Sequence, residues 1–86
     1  MNINQLIAIV KNKLEQEIII QNLKIEDKSF LHKNHKGNQK GKFHLKLIIN
    51  SDELAKTSKI VSTKRIYNIL DLELKEHIHS IQILLN

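Results

Sequence analysis

The feature that most limits the fold is the alternation from Phe43 to Asn50 and what comes after it. Phe43, Leu45, Leu47 and Ile49 fall on one side, and His44, Lys46, Ile48 and Asn50 on the other. That two-residue period is the mark of a strand with one buried face. The following stretch, 51–76, is helical in period and far too long for a hairpin turn. A second alternation then begins, with His79, Ile81, Ile83 and Leu85 set against Ile78, Ser80, Gln82 and Leu84. Two strands joined through helices run parallel, with a right-handed crossover. Parallel strands begin at the same edge of their sheet. His44 and His77–His79 are therefore expected at one edge, although they are far apart in sequence.

Upstream, residues 17–29 read as a turn and a strand. Leu23 and Ile25 alternate with Lys24 and Glu26, and the segment ends in Asp27, Lys28 and Ser29. Residues 3–14 place Ile3, Leu6, Ile7, Val10 and Leu14 at helical spacing, with Asn2 or Asn4 as the cap. Between the first two strands lies FLHKNHKGNQKGK, residues 30–42, which holds both glycines, four lysines, His32 and His35. A loop of about a dozen residues is uncommon in a compact domain and is usually functional or disordered. Ser51-Asp52-Glu53 predicts a helical turn over 51–57, and 58–76 is expected as one long helix. Its predicted core stripe is Ile60, Thr63, Ile66, Tyr67, Leu70 and Leu74. Val61, Ile69 and Leu72, with Arg65, form a second, weaker patch, assigned to core rather than to a partner surface. The predicted fold is α+β, αββααβ, with a three-stranded mixed sheet and helices packed on one face, in one domain over 1–86.

Several function classes drop out. With 86 residues there is little room for both a core and a deep cleft, which argues against an enzyme. Without cysteine the chain offers no disulfide, no thiolate nucleophile and no thiolate ligand of its own. The N-terminus lacks the charged n-region of a signal peptide, and no apolar run is long enough to span a membrane. A cytoplasmic domain is expected. Ser29, Asp27 and a nearby histidine lack the strained elbow of a hydrolase nucleophile. The formal charge of +5 suits nucleic acid or an acidic partner, and Lys56, Lys59, Lys64 and Arg65 gather around the start of the long helix. With Phe30, Phe43 and Tyr67 as its aromatic residues, the chain is poorly equipped to stack bases. The remaining chemistry lies in the five histidines, since neutral imidazole is a ligand for zinc, copper and iron.

Four segments, in order, resemble the BolA family: EDKSFLHKNH at 26–35, GKFHLKLIINSDEL at 41–54, KRIYNIL at 64–70 and IHSIQI at 78–83. Phe43 and Leu45 stand where that family usually has Ser and Phe, and Ser80 where it has Ala. The resemblance implies a topology similar to class II KH domains. It also implies a monothiol glutaredoxin as partner, with a [2Fe–2S] cluster bridged between the two chains. Glutaredoxin and glutathione would supply thiolates, and this chain would supply histidine. No cluster is expected on the isolated chain. By this resemblance His79 holds the position of the family's C-terminal histidine. The second, variable ligand position lies in the long loop, with His32 and His35 as candidates and His44 as a third. Ser62, Thr63 and Lys64 replace a frequent Arg-His-Arg, so no ligand role is carried there. BolA-like proteins are also described as transcriptional regulators. DNA binding through Lys56, Lys59, Lys64 and Arg65 is therefore the alternative expectation, and the sequence leaves homodimerisation open.

Overall fold

The structure, a computed structural model, describes residues 1–29 and 42–86. Helix α1 runs Ile3–Glu17. Asn2 caps it: its side chain accepts the Gln5 N–H at 2.8 Å, and the Gln5 side chain accepts the Asn2 N–H at 3.0 Å. This reciprocal pair satisfies two backbone donors that the first turn leaves over. Strands β1 (Asn22–Asp27) and β2 (Phe43–Asn50) pair antiparallel, with Leu23 opposite Ile49 and Ile25 opposite Leu47. Strand β3 (Ile78–Leu85) lies parallel to β2, which makes β2 the centre of the sheet. The mixed sheet and its parallel crossover follow the expectation from the alternations.

One face of the sheet is apolar. Leu45, Leu47 and Ile49 of β2 are buried against Leu6, Val10 and Leu14 of α1 and against Ile66 and Leu70. Each such aliphatic side chain contributes about 2 kcal/mol by leaving water. The opposite face carries Lys24, Glu26, Lys46, Gln82 and Leu84, all exposed or half-buried. Helices therefore pack on one side of the sheet, as expected.

The helical crossover departs from the expectation. Ser51 caps a short α2, Asp52–Ala55. The long helix is two helices, α3 (Lys59–Ile69) and α4 (Asp71–Glu76), parted at Leu70, where φ is −99° and ψ is 17°. The described residues thus hold four helices. The predicted core stripe is also corrected. Ile66 and Leu70 are buried and Leu74 is half-buried against them, but Thr63 is only half-buried. Ile60 is 70% exposed and Tyr67 42%. The second patch is split: Val61 is 52% exposed and Leu72 53%, while Ile69 is half-buried against the core. What α3 buries instead is Ser62, 1% exposed. Its hydroxyl donates to the Leu54 carbonyl at 3.1 Å and lies 2.8 Å from the Thr57 hydroxyl. That tie to α2 rotates the helix so that Ser62 and Ile66 face inward and Ile60 and Val61 face outward.

Candidate functional site

The starts of β2 and β3 meet at one sheet edge, and their pairing is irregular there. Phe43 pairs with Ile78, but His44 pairs with Ser80. His79 is thus one residue more than β2 can match, a β-bulge, which re-aims side chains and interrupts pairing. Ile78 goes into the core. Simple alternation would set His79 beside Ile81, on the helix side. Instead its ring lies beside that of His44, with centroids 4.9 Å apart and planes tilted by 60°.

The two histidines differ in surroundings. His44 is 4% exposed and its ring is held: Nδ1 lies 2.6 Å from the Ser80 hydroxyl. Its backbone is held as well. The His44 N–H donates to the Ser29 hydroxyl at 3.1 Å, and the Lys28 N–H donates to the His44 carbonyl at 2.7 Å. The turn carrying Ser29 is fixed in turn by the Asp27 carboxylate, which accepts the Ser29 N–H at 2.9 Å. His79, by contrast, is exposed. The edge therefore presents one accessible imidazole against one that is anchored. A shallow depression of about 370 Å³ adjoins them, lined by Lys28, His44, Lys46, Ser80 and Gln82 among others.

Of the predicted ligands, the structure brings His44 and His79 together. His32 and His35 lie outside the described residues, as does all of the 30–42 stretch except Lys42. His77 is half-buried next to the bulge, with Nε2 3.8 Å from a Glu76 carboxylate oxygen. Among the described residues no group of three His, Asp or Glu side chains is placed to hold a metal ion. Two imidazoles are fewer donors than the four a metal such as zinc usually takes. The Ser29 and Ser80 anchors were not foreseen as partners of His44. The signal for Ser80 was available in the parallel pairing, once an extra residue is allowed in β3.

The basic candidates lie at the other end of the sheet. Lys59 lines a cavity with Ile49, Leu85 and Asn86, at the far ends of β2 and β3. Five steps along β2 part His44 from Ile49, roughly 17 Å, so Lys59 and the histidine pair are separate. Lys56, Lys59 and Lys64 are exposed. Arg65 is engaged within the chain: it pairs with Glu53 and donates to the Glu17 carbonyl at 2.7 Å. No described helix is long and apolar enough to cross a membrane.

A family model described as "BolA-like protein" matches residues 14–86. The chain belongs to the BolA family. Its curated relative "DNA-binding transcriptional regulator BolA" from Haemophilus influenzae is 32% identical over 85% of this chain and 68% of that protein. The BolA domain of SufE1 from Arabidopsis thaliana superimposes with a TM-score of 0.75 at 31% identity, over 90% of this chain and 85% of that one. BolA1 from the same plant gives 0.76 at 23% identity, over 91% and 86%, and likewise shows the fold. The family match takes in β1, β2, β3 and the crossover, and with them both histidines of the bulged edge.

Proposed function

We propose that this BolA-family chain acts as an adaptor that gives histidine ligation to a [2Fe–2S] cluster shared with a monothiol glutaredoxin. The observation that carries the reading is the accessible His79 on its bulge, with its ring 4.9 Å from that of the anchored His44. With metal–nitrogen bonds of about 2.1 Å, two imidazoles in adjacent positions on one metal have centroids roughly 4.5–5 Å apart. His79 is the leading ligand, His44 is either its companion or its support, and His32 and His35 remain the loop candidates. A chain that offers imidazole but no thiolate complements a partner that offers sulfur. Imidazole in place of thiolate also raises a cluster's reduction potential.

The test is to add the chain to a monothiol glutaredoxin carrying its [2Fe–2S] cluster and follow visible absorption and circular dichroism. The wild-type chain is expected to change both spectra. His79→Ala abolishes the change, and His44→Ala weakens it. Spectra unaltered by the wild-type chain would refute the proposal.

A second reading, DNA-binding regulation, is favoured by the name of the Haemophilus relative and by exposed Lys56, Lys59 and Lys64 beside the held Arg65. Affinity for duplex DNA would then fall steeply with salt. It would also fall when these lysines become glutamine and be indifferent to His79→Ala. No binding at low salt ends this reading.

A further inference from the structure

The bulge in β3 does more than expose His79. With Phe43 opposite Ile78, an unbroken register would set His44 against His79 and Leu45 against Ser80. The extra residue moves the register on by one. Ser80 then comes opposite His44, and its hydroxyl lies 2.6 Å from the ring nitrogen Nδ1. An imidazole turns readily about its Cβ–Cγ bond, and a half-turn exchanges Nδ1 with a carbon. The contact with Ser80 resists that half-turn and so fixes the direction of Nε2. The backbone beneath the ring is already clamped by the Ser29 hydroxyl and the Lys28 N–H. Any further ligand of the His44 ring nitrogens therefore meets Nε2.

A neutral ring carries one N–H, on Nδ1 or on Nε2. With the proton on Nδ1, a ring that is only 4% exposed needs an acceptor within the protein, and Ser80 supplies one. Ser80 is itself exposed, so its hydroxyl can turn its own proton to water and keep a lone pair for the ring. We propose that Ser80 is a positioning residue: its oxygen accepts the Nδ1–H of His44 and leaves the lone pair on Nε2. Imidazoles that bind metal usually donate their other N–H in this way, which fixes ring orientation and tautomer together. The use of that lone pair rests on the cluster reading above: His44 would offer Nε2 beside the ring of His79, 4.9 Å away between centroids. On this assignment His44 is the companion of His79, and Ser80 is the support. The tautomer itself needs no metal, because the contact is made within the chain alone.

The test reads the tautomer in the full chain without metal. Long-range proton–nitrogen spectra of the nitrogen-15-labelled chain distinguish a protonated ring nitrogen from one with a lone pair, at about pH 8 where an ordinary imidazole is neutral. The wild type is expected to show His44 protonated on Nδ1 and not on Nε2. Ser80→Ala moves the two His44 nitrogen shifts toward each other, as the ring mixes tautomers. Ser80→Thr keeps the hydroxyl on a side chain suited to a strand and restores the wild-type pattern. The proposal is overturned if the wild type carries the proton on Nε2, or if Ser80→Ala keeps the wild-type pattern. In mixtures with cluster-loaded glutaredoxin, Ser80→Ala is expected to weaken the spectral change, and to add nothing in the His44→Ala background. An additive loss there overturns the action of Ser80 through His44. Failure of the cluster reading shows itself differently, as mixtures unaltered by the wild-type chain, and leaves the tautomer result to decide the role of Ser80.

Discussion

Helices α1 and α3 both pack on the same sheet, yet they spend their apolar residues in opposite ways. Helix α1 puts Leu6, Val10 and Leu14 inside and leaves polar side chains outside. Helix α3 buries Ser62 with Ile66 and leaves Ile60, Val61 and Tyr67 in solvent, and α4 buries Glu73 while Leu72 is exposed. For α1, hydrophobic periodicity is sufficient to orient the helix. For α3 and α4, specific polar bonds at the ends of the crossover override it. Apolar residues that the core does not use stay in solvent.

The contrast is sharpest where both helices touch the same core. Leu14→Ala and Ile66→Ala should each cost about 3–4 kcal/mol in urea unfolding, because each leaves a cavity among fully buried neighbours. Equal losses would show that α3 contributes as much as α1 through its one large inward residue. A second test concerns the ion pair that joins the helices. Lys13 Nζ lies 2.7 Å from Glu73 Oε2, and the other carboxylate oxygen of Glu73 is buried without a partner among the described residues. Lys13→Met should cost about 2–3 kcal/mol by stranding a buried charge, and adding Glu73→Leu should restore most of it. A double variant no better than the single would mean that the carboxylate has a further role.

Ser62→Ala should cost about 1 kcal/mol through loss of its bond to the Leu54 carbonyl. If polar ties orient α3, the same substitution should also broaden the amide resonances of α3. A pH titration addresses the clamp at the start of the crossover. The Arg65 guanidinium, aided by the Ile19 N–H, holds the Glu53 carboxyl below its ordinary value of 4.5. A carboxyl depressed in the folded state stabilises above its unfolded pKa, and that contribution is lost as pH falls through the folded value. The wild-type advantage over Glu53→Gln should therefore be present at about pH 6 and fade below about pH 4.5, in parallel urea titrations. The smallest effect is expected at the surface: Ile60→Ser should change stability by less than about 0.5 kcal/mol. A larger loss would place Ile60 in the core after all.

Much of this arrangement could be read before the structure. Strand β2 was plain because its alternation is uninterrupted, and the parallel partner followed from the length of the crossover. The cap at Asn2 and the turn begun by Ser51 were visible as local hydrogen-bonding chemistry. The break at Leu70 was not, because neither glycine nor proline marks it. Nor was the outward turn of Ile60, since two apolar stripes competed on one long helical stretch and only the Ser62–Leu54 contact decides between them. At the site, topology gathered the histidines at one edge, and the resemblance ranked His79. The bulge could not be seen, because strict alternation assigns His79 to the opposite side of the strand. The pairing of Lys13 with Glu73 joins residues 60 positions apart with no periodic signal.

The bulge has one further consequence. Ile78 and Ile81 hold β3 against the core, and Ser80 fastens His44, so every neighbour of position 79 is committed to structure. Position 79 itself is surplus to the pairing. Its side chain can be exchanged while the strand keeps its register and the core keeps its shape. Reactivity at this edge and folding of the strand therefore rest on different residues.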